Sequence, residues 1–459
     1  MDFSSANAGL WSVVIQLGII AVTILVANLL KRKLPFIRKT LMPTAVLAGF
    51  VLLVVRNTNL LEIDATFLEM ITYHGIPLGF IALALRIPHL DTGGSTDSLT
   101  APKSGALIIA TYLVQGIMGL AITMTLAYTI MPNLFMASGI LLPMGYGQGP
   151  GQANNVGGMY EALGFVGGRS FGLSIAASGY LCACVVGIIY LNWLVRKGQV
   201  KLHQYDEVSE SLSVDKFQDK GEIPVAESID RFSVQFALVL IVYLFTYLTL
   251  HGLTALVAKS APGLSGTLKP LLWGFNFIVG ALMAILLRVI FGNLRKSKMM
   301  TRQYQNNYLL SRIAGLAFDV MIVAGIASIN ISDLRGLWLP FVLMSIAGGI
   351  GTFYFLRRMC KEIYPDYFYE GMISMYGMLT GTISSGVLLL REIDPELQTP
   401  AANNLLTGSS FAIIMGAPML LLIGLAPVSP LMTLFTLGLL VVYLSLLLLF
   451  LFKAKAKKA

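Results

Sequence analysis

Two stretches hold the residues best suited to chemistry: GYGQGPGQANN at Gly145–Asn155 and YGMLTGTISSG at Tyr376–Gly386. In the first, Gly149 and Gly151 permit close approach to the backbone, and Pro150 removes an N–H. Gln148, Gln152, Asn154 and Asn155 add neutral donors and acceptors. In the second, Thr380, Thr382, Ser384 and Ser385 supply hydroxyls, and neither stretch is charged. A helix restarting at about Ala153 or Ser384 would aim N–H groups and the positive end of its dipole at a carboxylate. Carbonyls freed at the preceding helix end could coordinate Na⁺. The alternative is that glycines and small hydroxyl residues serve tight helix packing. No Gly-Lys-Ser/Thr follows the glycines, which argues against a phosphate-binding loop.

Charge within apolar surroundings is scarce. Asp319, in RIAGLAFDVMIVAG, lies near the middle of an apolar run and is a functional candidate because burying its charge in lipid is costly. It could bind a coupling cation, carry a proton, pair with Arg312, or make a packing hydrogen bond as the protonated acid. Arg391 is a candidate partner for a second substrate carboxylate. Glu161 and Glu392 read as solvated ends of the segments that carry them. Cys182, Cys184 and Cys360 read as small packing residues, and the four histidines have no metal-ligand spacing. No Ser/Lys pair, Asp/Asp pair or zinc-ligand spacing supports an enzyme, so none is expected.

The elements that position these groups follow from composition. Of 459 residues, 56% are hydrophobic and 12% charged, half the charged content of soluble domains. The net charge of +9 is spread in short clusters between apolar runs, which suits membrane topology and not a nucleic-acid face. MDFSSANAG lacks a basic leader, so no cleavable signal is expected. About 20 apolar residues cross a bilayer. Eleven segments qualify: 9–30, 40–55, 65–85, 104–131, 171–195, 234–257, 271–291, 307–329, 336–356, 404–425 and 431–452, the second being short.

Basic clusters follow the first, fifth, seventh, ninth and eleventh segments, so all five fall on one side. That agreement requires the apolar segments at about 135–163 and 366–392 to enter and leave by one face, as re-entrant hairpins. The expected fold is an all-α polytopic membrane protein with two inverted five-helix repeats, each with a re-entrant hairpin, plus one extra C-terminal transmembrane helix. The first repeat occupies 1–197, a polar cytoplasmic linker 198–232, the second repeat 233–426, and the extra helix with its basic tail 427–459. Because each repeat has an odd number of crossings, the hairpins enter from opposite faces and their tips can meet. The N-terminus is expected outside and the C-terminus in the cytoplasm.

On GYGQGPGQA (Gly145–Ala153) and EGMISMYGMLTGTISSG (Glu370–Gly386), the chain resembles the bacterial sodium/glutamate symporter family, over nearly its whole length apart from the last span. Gln148 stands where that family's first motif usually has His. The resemblance implies the bacterial inner membrane, Na⁺ as coupling ion, no other cofactor, a glutamate-like organic anion as substrate, a homodimer in membrane lipid, and elevator-like movement of a body containing both hairpins. Alternatives from the residues are proton coupling through Asp319, a non-transporting membrane receptor, and an intramembrane enzyme.

Overall fold

The computed structural model describes residues 7–35, 37, 42–58, 61, 63–87, 99–200, 230–260, 265, 268–269, 272–394 and 399–453, without the side chains of 384, 406 and 453. No β-strand occurs among them. The helices in chain order are α1 (Ala8–Lys33), α2 (Thr44–Asn57), α3 (Ala65–Leu85), α4 (Thr100–Thr129), α5 (Pro150–Glu161), α6 (Gly168–Arg196), α7 (Arg231–Ser260) and α8 (Asn276–Lys296). They continue with α9 (Asn307–Ala327), α10 (Trp338–Ile363), α11 (Phe368–Thr380), α12 (Ile383–Arg391), α13 (Ala401–Met415), α14 (Ala417–Leu425) and α15 (Pro430–Lys453).

Among the described residues, nine helices are long and apolar enough to cross a membrane: α1, α3, α4, α6, α7, α8, α9, α10 and α15. Helix is the form that satisfies every backbone polar group within such a segment, and a polytopic membrane protein follows. The other two expected spans differ. The segment at 40–55 forms the 14-residue α2, begun after Pro43. At 1.5 Å per residue it reaches about 21 Å, short of a ~30 Å hydrocarbon core. The segment at 404–425 is a pair, α13 and α14, bent by 55°. Pro418 in the first turn of α14 supplies no N–H to continue the helical ladder, which accounts for a break at Gly416.

The chain divides into two compact units. The first comprises 1–72, 96–203 and 322–459, and the second 73–95 and 204–321. Segments from both sequence halves enter each unit. Residues 201–229 of that expected linker and 88–98 of the polar loop after α3 lie outside the described residues, as does the tail at 454–459.

Within the first unit, the core is built on α4, which packs against α10, α13 and α15. Gly119 of α4 and Gly139 touch backbone to backbone. Tyr364 is fully buried and shares a hydrogen bond with Ser104 of α4 at 2.7 Å. In the second unit α7 and α8 pack together. There the rings of Phe80 and Phe277 lie 4.9 Å apart, and His74 Nδ1 is 2.6 Å from the Tyr243 hydroxyl.

Candidate functional site

Both motif-bearing segments fold back at a helix break within the first unit. The first begins with a 3₁₀ turn at Met136–Ile140 and a π-turn at Pro143–Gly147. Single π-turns mark places where a helix gives up regular bonding, often at functional sites. Gly149 then adopts φ +87°, a conformation that L side chains rarely take, and Pro150 starts α5. The restart falls three residues before Ala153, because the fixed φ of Pro suits the first helical position. The segment closes on itself: the Phe135 ring lies 5.4 Å from Tyr160 and stacks on Phe165 at 5.1 Å.

The second segment breaks at Gly381–Thr382, between α11 and α12. Its arms touch at Gly377 and Gly386, where a Cβ on Gly377 would stand 2.8 Å from the Gly386 Cα. Helix α12 starts at Ile383, one residue before the expected Ser384.

The two breaks meet. A Cβ on Gly149 would lie 3.6 Å from the Thr382 Cγ2, 3.7 Å from the Tyr180 hydroxyl and 3.9 Å from the Gly381 carbonyl oxygen. The N-terminal ends of α5 and α12 therefore start at one locus, each with first-turn N–H groups that no helical carbonyl satisfies. Gln152, in the first turn of α5, is 1% exposed, and among the described residues neither its amide oxygen nor its amide nitrogen has a hydrogen-bond partner. The Asn154 Oδ1, Thr382 Oγ1 and Ser385 Oγ are likewise buried without partners. A buried polar group left unpaired costs about 1–3 kcal/mol, so four such residues, two beside each break, need a reason.

The other candidates are placed as follows. Gln148 is half-buried in the turn before Gly149, Gly151 is buried in the first turn of α5, and Asn155 is buried one turn farther along. Thr380 is fully buried, with its hydroxyl donating to the Tyr376 carbonyl at 2.8 Å. Ser384 lies in the first turn of α12, and its side chain is outside the described residues. Arg391 is exposed at the end of α12 opposite the break. Asp319 belongs to the second unit, is exposed, and makes no hydrogen bond or ion pair among the described residues. Arg312 does not pair with it and instead sits over the Tyr308 ring at 5.0 Å. Glu161, expected as a solvated end, accepts from the Arg169 backbone N–H at 3.0 Å and lies 3.3 Å from its guanidinium, which also pairs with Glu69.

Sequence reasoning missed the supports around the breaks. Gln115 of α4 is fully buried and donates from Nε2 to the Leu379 carbonyl at 2.8 Å and to Thr352 Oγ1 at 2.9 Å. It thereby satisfies a carbonyl that the end of α11 leaves open. Tyr146 donates to the Ser345 carbonyl at 2.7 Å, tying the π-turn to α10. Gly179 of α6 would place a Cβ 2.3 Å from the Thr380 carbonyl oxygen, so this helix passes against the second break with no space for a side chain. A glutamine in the middle of an apolar span was the available signal for Gln115; Tyr146 and Gly179 gave none.

Among the described residues, no group of three His, Cys, Asp or Glu side chains could hold a metal ion. A cation at the breaks would depend on carbonyl and hydroxyl oxygens. Comparison with protein-family models and with curated proteins gave no match to this chain.

Proposed function

We propose that the protein is a cation-coupled secondary transporter, a sodium symporter that imports glutamate or a similar small organic anion by elevator-like alternating access. The observation that carries this reading is the meeting of two helix breaks, from different halves of the chain, around buried polar groups without partners. In this reading the breaks are the tips of two re-entrant hairpins in an inverted repeat, and discontinuous helices of this kind form the midplane sites of secondary transporters.

The roles follow from the groups. First-turn N–H groups of α5 and α12 receive the anion's carboxylate, with the amides of Gln148 and Gln152 and the hydroxyls of Thr382, Ser384 and Ser385 fixing its orientation. Asn154 and Asn155 extend the polar lining, while Gly149 and Gly151 let the ligand approach the backbone. Carbonyls at the ends of the preceding turns, that of Thr380 among them, offer oxygens to Na⁺. Anion and cation then complete one another's site, which is what coupling requires. Both breaks fall in one compact unit, as an elevator body carrying both hairpins would need. The reading places the protein in the bacterial inner membrane as a homodimer, with its N-terminus outside and its C-terminus in the cytoplasm.

The test is solute uptake by the purified protein in proteoliposomes under an imposed Na⁺ or H⁺ gradient, screened over acidic amino acids and dicarboxylates. Accumulation of an acidic solute that follows the Na⁺ gradient is expected. Accumulation following only the H⁺ gradient removes the sodium assignment, and no accumulation of any such solute under either gradient rejects the transporter.

A further inference from the structure

A cavity of about 210 Å³ lies in the second unit, well away in sequence from both helix breaks. Its wall is the last turns of α8, with Arg288, Val289, Gly292 and Arg295, and the chain that follows, with Arg302 and Tyr304. Arg288, Gly292 and Arg295 stand at i, i+4 and i+7, so they share one helix face, and Gly292 leaves a notch between two guanidinium groups. A Cβ on Gly292 would meet nothing within 4 Å. Helix α8 ends at Lys296, Lys298 just beyond it has φ 59°, and the chain that follows brings Arg302 to the cavity wall.

Three arginines line the cavity, and none of the described residues that line it is acidic. Arg288 Nη1 donates to the Ala84 and Arg86 carbonyls at 3.0 and 2.9 Å, and Arg295 Nη1 donates to Gln303 Oε1 at 2.7 Å. These bonds hold the two guanidiniums in place without neutralising either. Arg288 and Arg295 thus keep their charge while neutral partners fix their position, and fixed positive charge is what an anion site requires.

The same helix gives the anion a second property. Leu282, Leu286 and Val289, at i, i+4 and i+7 on α8, are 42%, 51% and 50% exposed. This apolar stripe runs along a membrane-spanning helix and ends at the cavity, since Val289 belongs to both. A ligand that fills both features has a hydrocarbon part and an anionic head. We propose that this cavity binds the headgroup of an anionic phospholipid, with an acyl chain along the Leu282–Leu286–Val289 stripe. Basic pockets at the ends of transmembrane helices are suited to such headgroups. The assignment requires only that α8 crosses the membrane and is independent of what the protein transports.

The test uses the full-length protein in nanodiscs of phosphatidylglycerol and phosphatidylcholine, transferred to detergent and analysed for retained lipid by native mass spectrometry. The parent should retain phosphatidylglycerol in preference to phosphatidylcholine. The R295Q/R302Q double variant should lower that preference by about thirtyfold, from the attraction contributed by each basic residue at a membrane surface. Gly292→Leu fills the notch without removing charge and favours the helix, so it should stay folded and lose the lipid as well. Equal retention of the two lipids by the parent, or unchanged preference in both variants, overturns the proposal. Displacement of the lipid by millimolar inorganic phosphate would make it a free-anion site instead. Loss of a dimer in Gly292→Leu with lipid retention unchanged would give the face to a second copy of the chain.

Discussion

Gln152 shows at the scale of one side chain how the two helix breaks differ from ordinary packing. A buried amide normally finds partners for both ends, and this one finds none among the described residues. Gln152→Leu should therefore leave folding intact, with thermal stability equal to or above the parent's, while abolishing uptake in proteoliposomes. Normal transport in this variant and in Gln148→Leu would remove both amides from the anion's site. Gln115 differs at its nitrogen end: Nε2 donates to the Leu379 carbonyl and Thr352, while Oε1 is buried without a partner among the described residues. Gln115→Leu orphans a buried carbonyl at a cost of about 1–3 kcal/mol, and should lower the unfolding temperature in detergent as well as the uptake rate. Asp319, exposed and in the other unit, should tolerate Asn: its apparent affinity for Na⁺ in uptake assays should stay within about twofold, under 0.5 kcal/mol, of the parent's. A loss of pH dependence in Asp319→Asn would instead favour the proton.

Among the elements, α6 sets how closely the breaks can be held. Its Gly179 lies against the Thr380 carbonyl, so Gly179→Val forces a side chain into that carbonyl. Overpacking of this kind costs about 1–3 kcal/mol, and here it displaces the end of α11 that carries the second break. The expected result is a lower unfolding temperature and loss of uptake, whereas Gly438→Val on α15, where a Cβ meets nothing within 4 Å, should change neither. Helix α5 illustrates what was readable beforehand. Gly-Pro after a glycine-rich run announces a turn followed by a helix start, and the positive φ at Gly149 fulfils it. The start itself lies three residues earlier than expected because the pull of Pro150 toward the first helical position outweighs the polar side chains that follow. The short α2 and the bent α13–α14 pair were harder to read, since hydropathy counts apolar residues without registering where Pro43 or Pro418 interrupts the hydrogen-bond ladder.

For the whole molecule, the distribution of lysine and arginine makes a direct statement about topology. The basic clusters at the C-terminal ends of α1, α6, α8, α10 and α15 would all face the cytoplasm if both broken segments return to the side they enter from. A green fluorescent protein fused after Ala459 should therefore fluoresce, and alkaline phosphatase fused at the same point should be inactive. Active phosphatase there would reverse the orientation and with it the assignment of each hairpin to a face. The two compact units set a further expectation, that a body holding both breaks moves as one piece. Cysteine pairs placed within the first unit should then cross-link equally with and without substrate.

Apolar periodicity and charge placement determined, from the sequence alone, that the chain is a bundle of membrane-crossing helices with two interrupted segments. These are local properties: a helix in lipid satisfies its own backbone, so its extent is written in consecutive residues. Which segments share a compact unit was decided by packing, and so was the seating of Gln115 beneath α11. The meeting of Gly149 with Thr382, more than two hundred residues apart in the chain, belongs to the same class. Hydropathy holds no information about it, because contacts between distant segments arise from the complementary shapes of small residues and the pairing of buried polar groups, and these exist only once the helices are assembled.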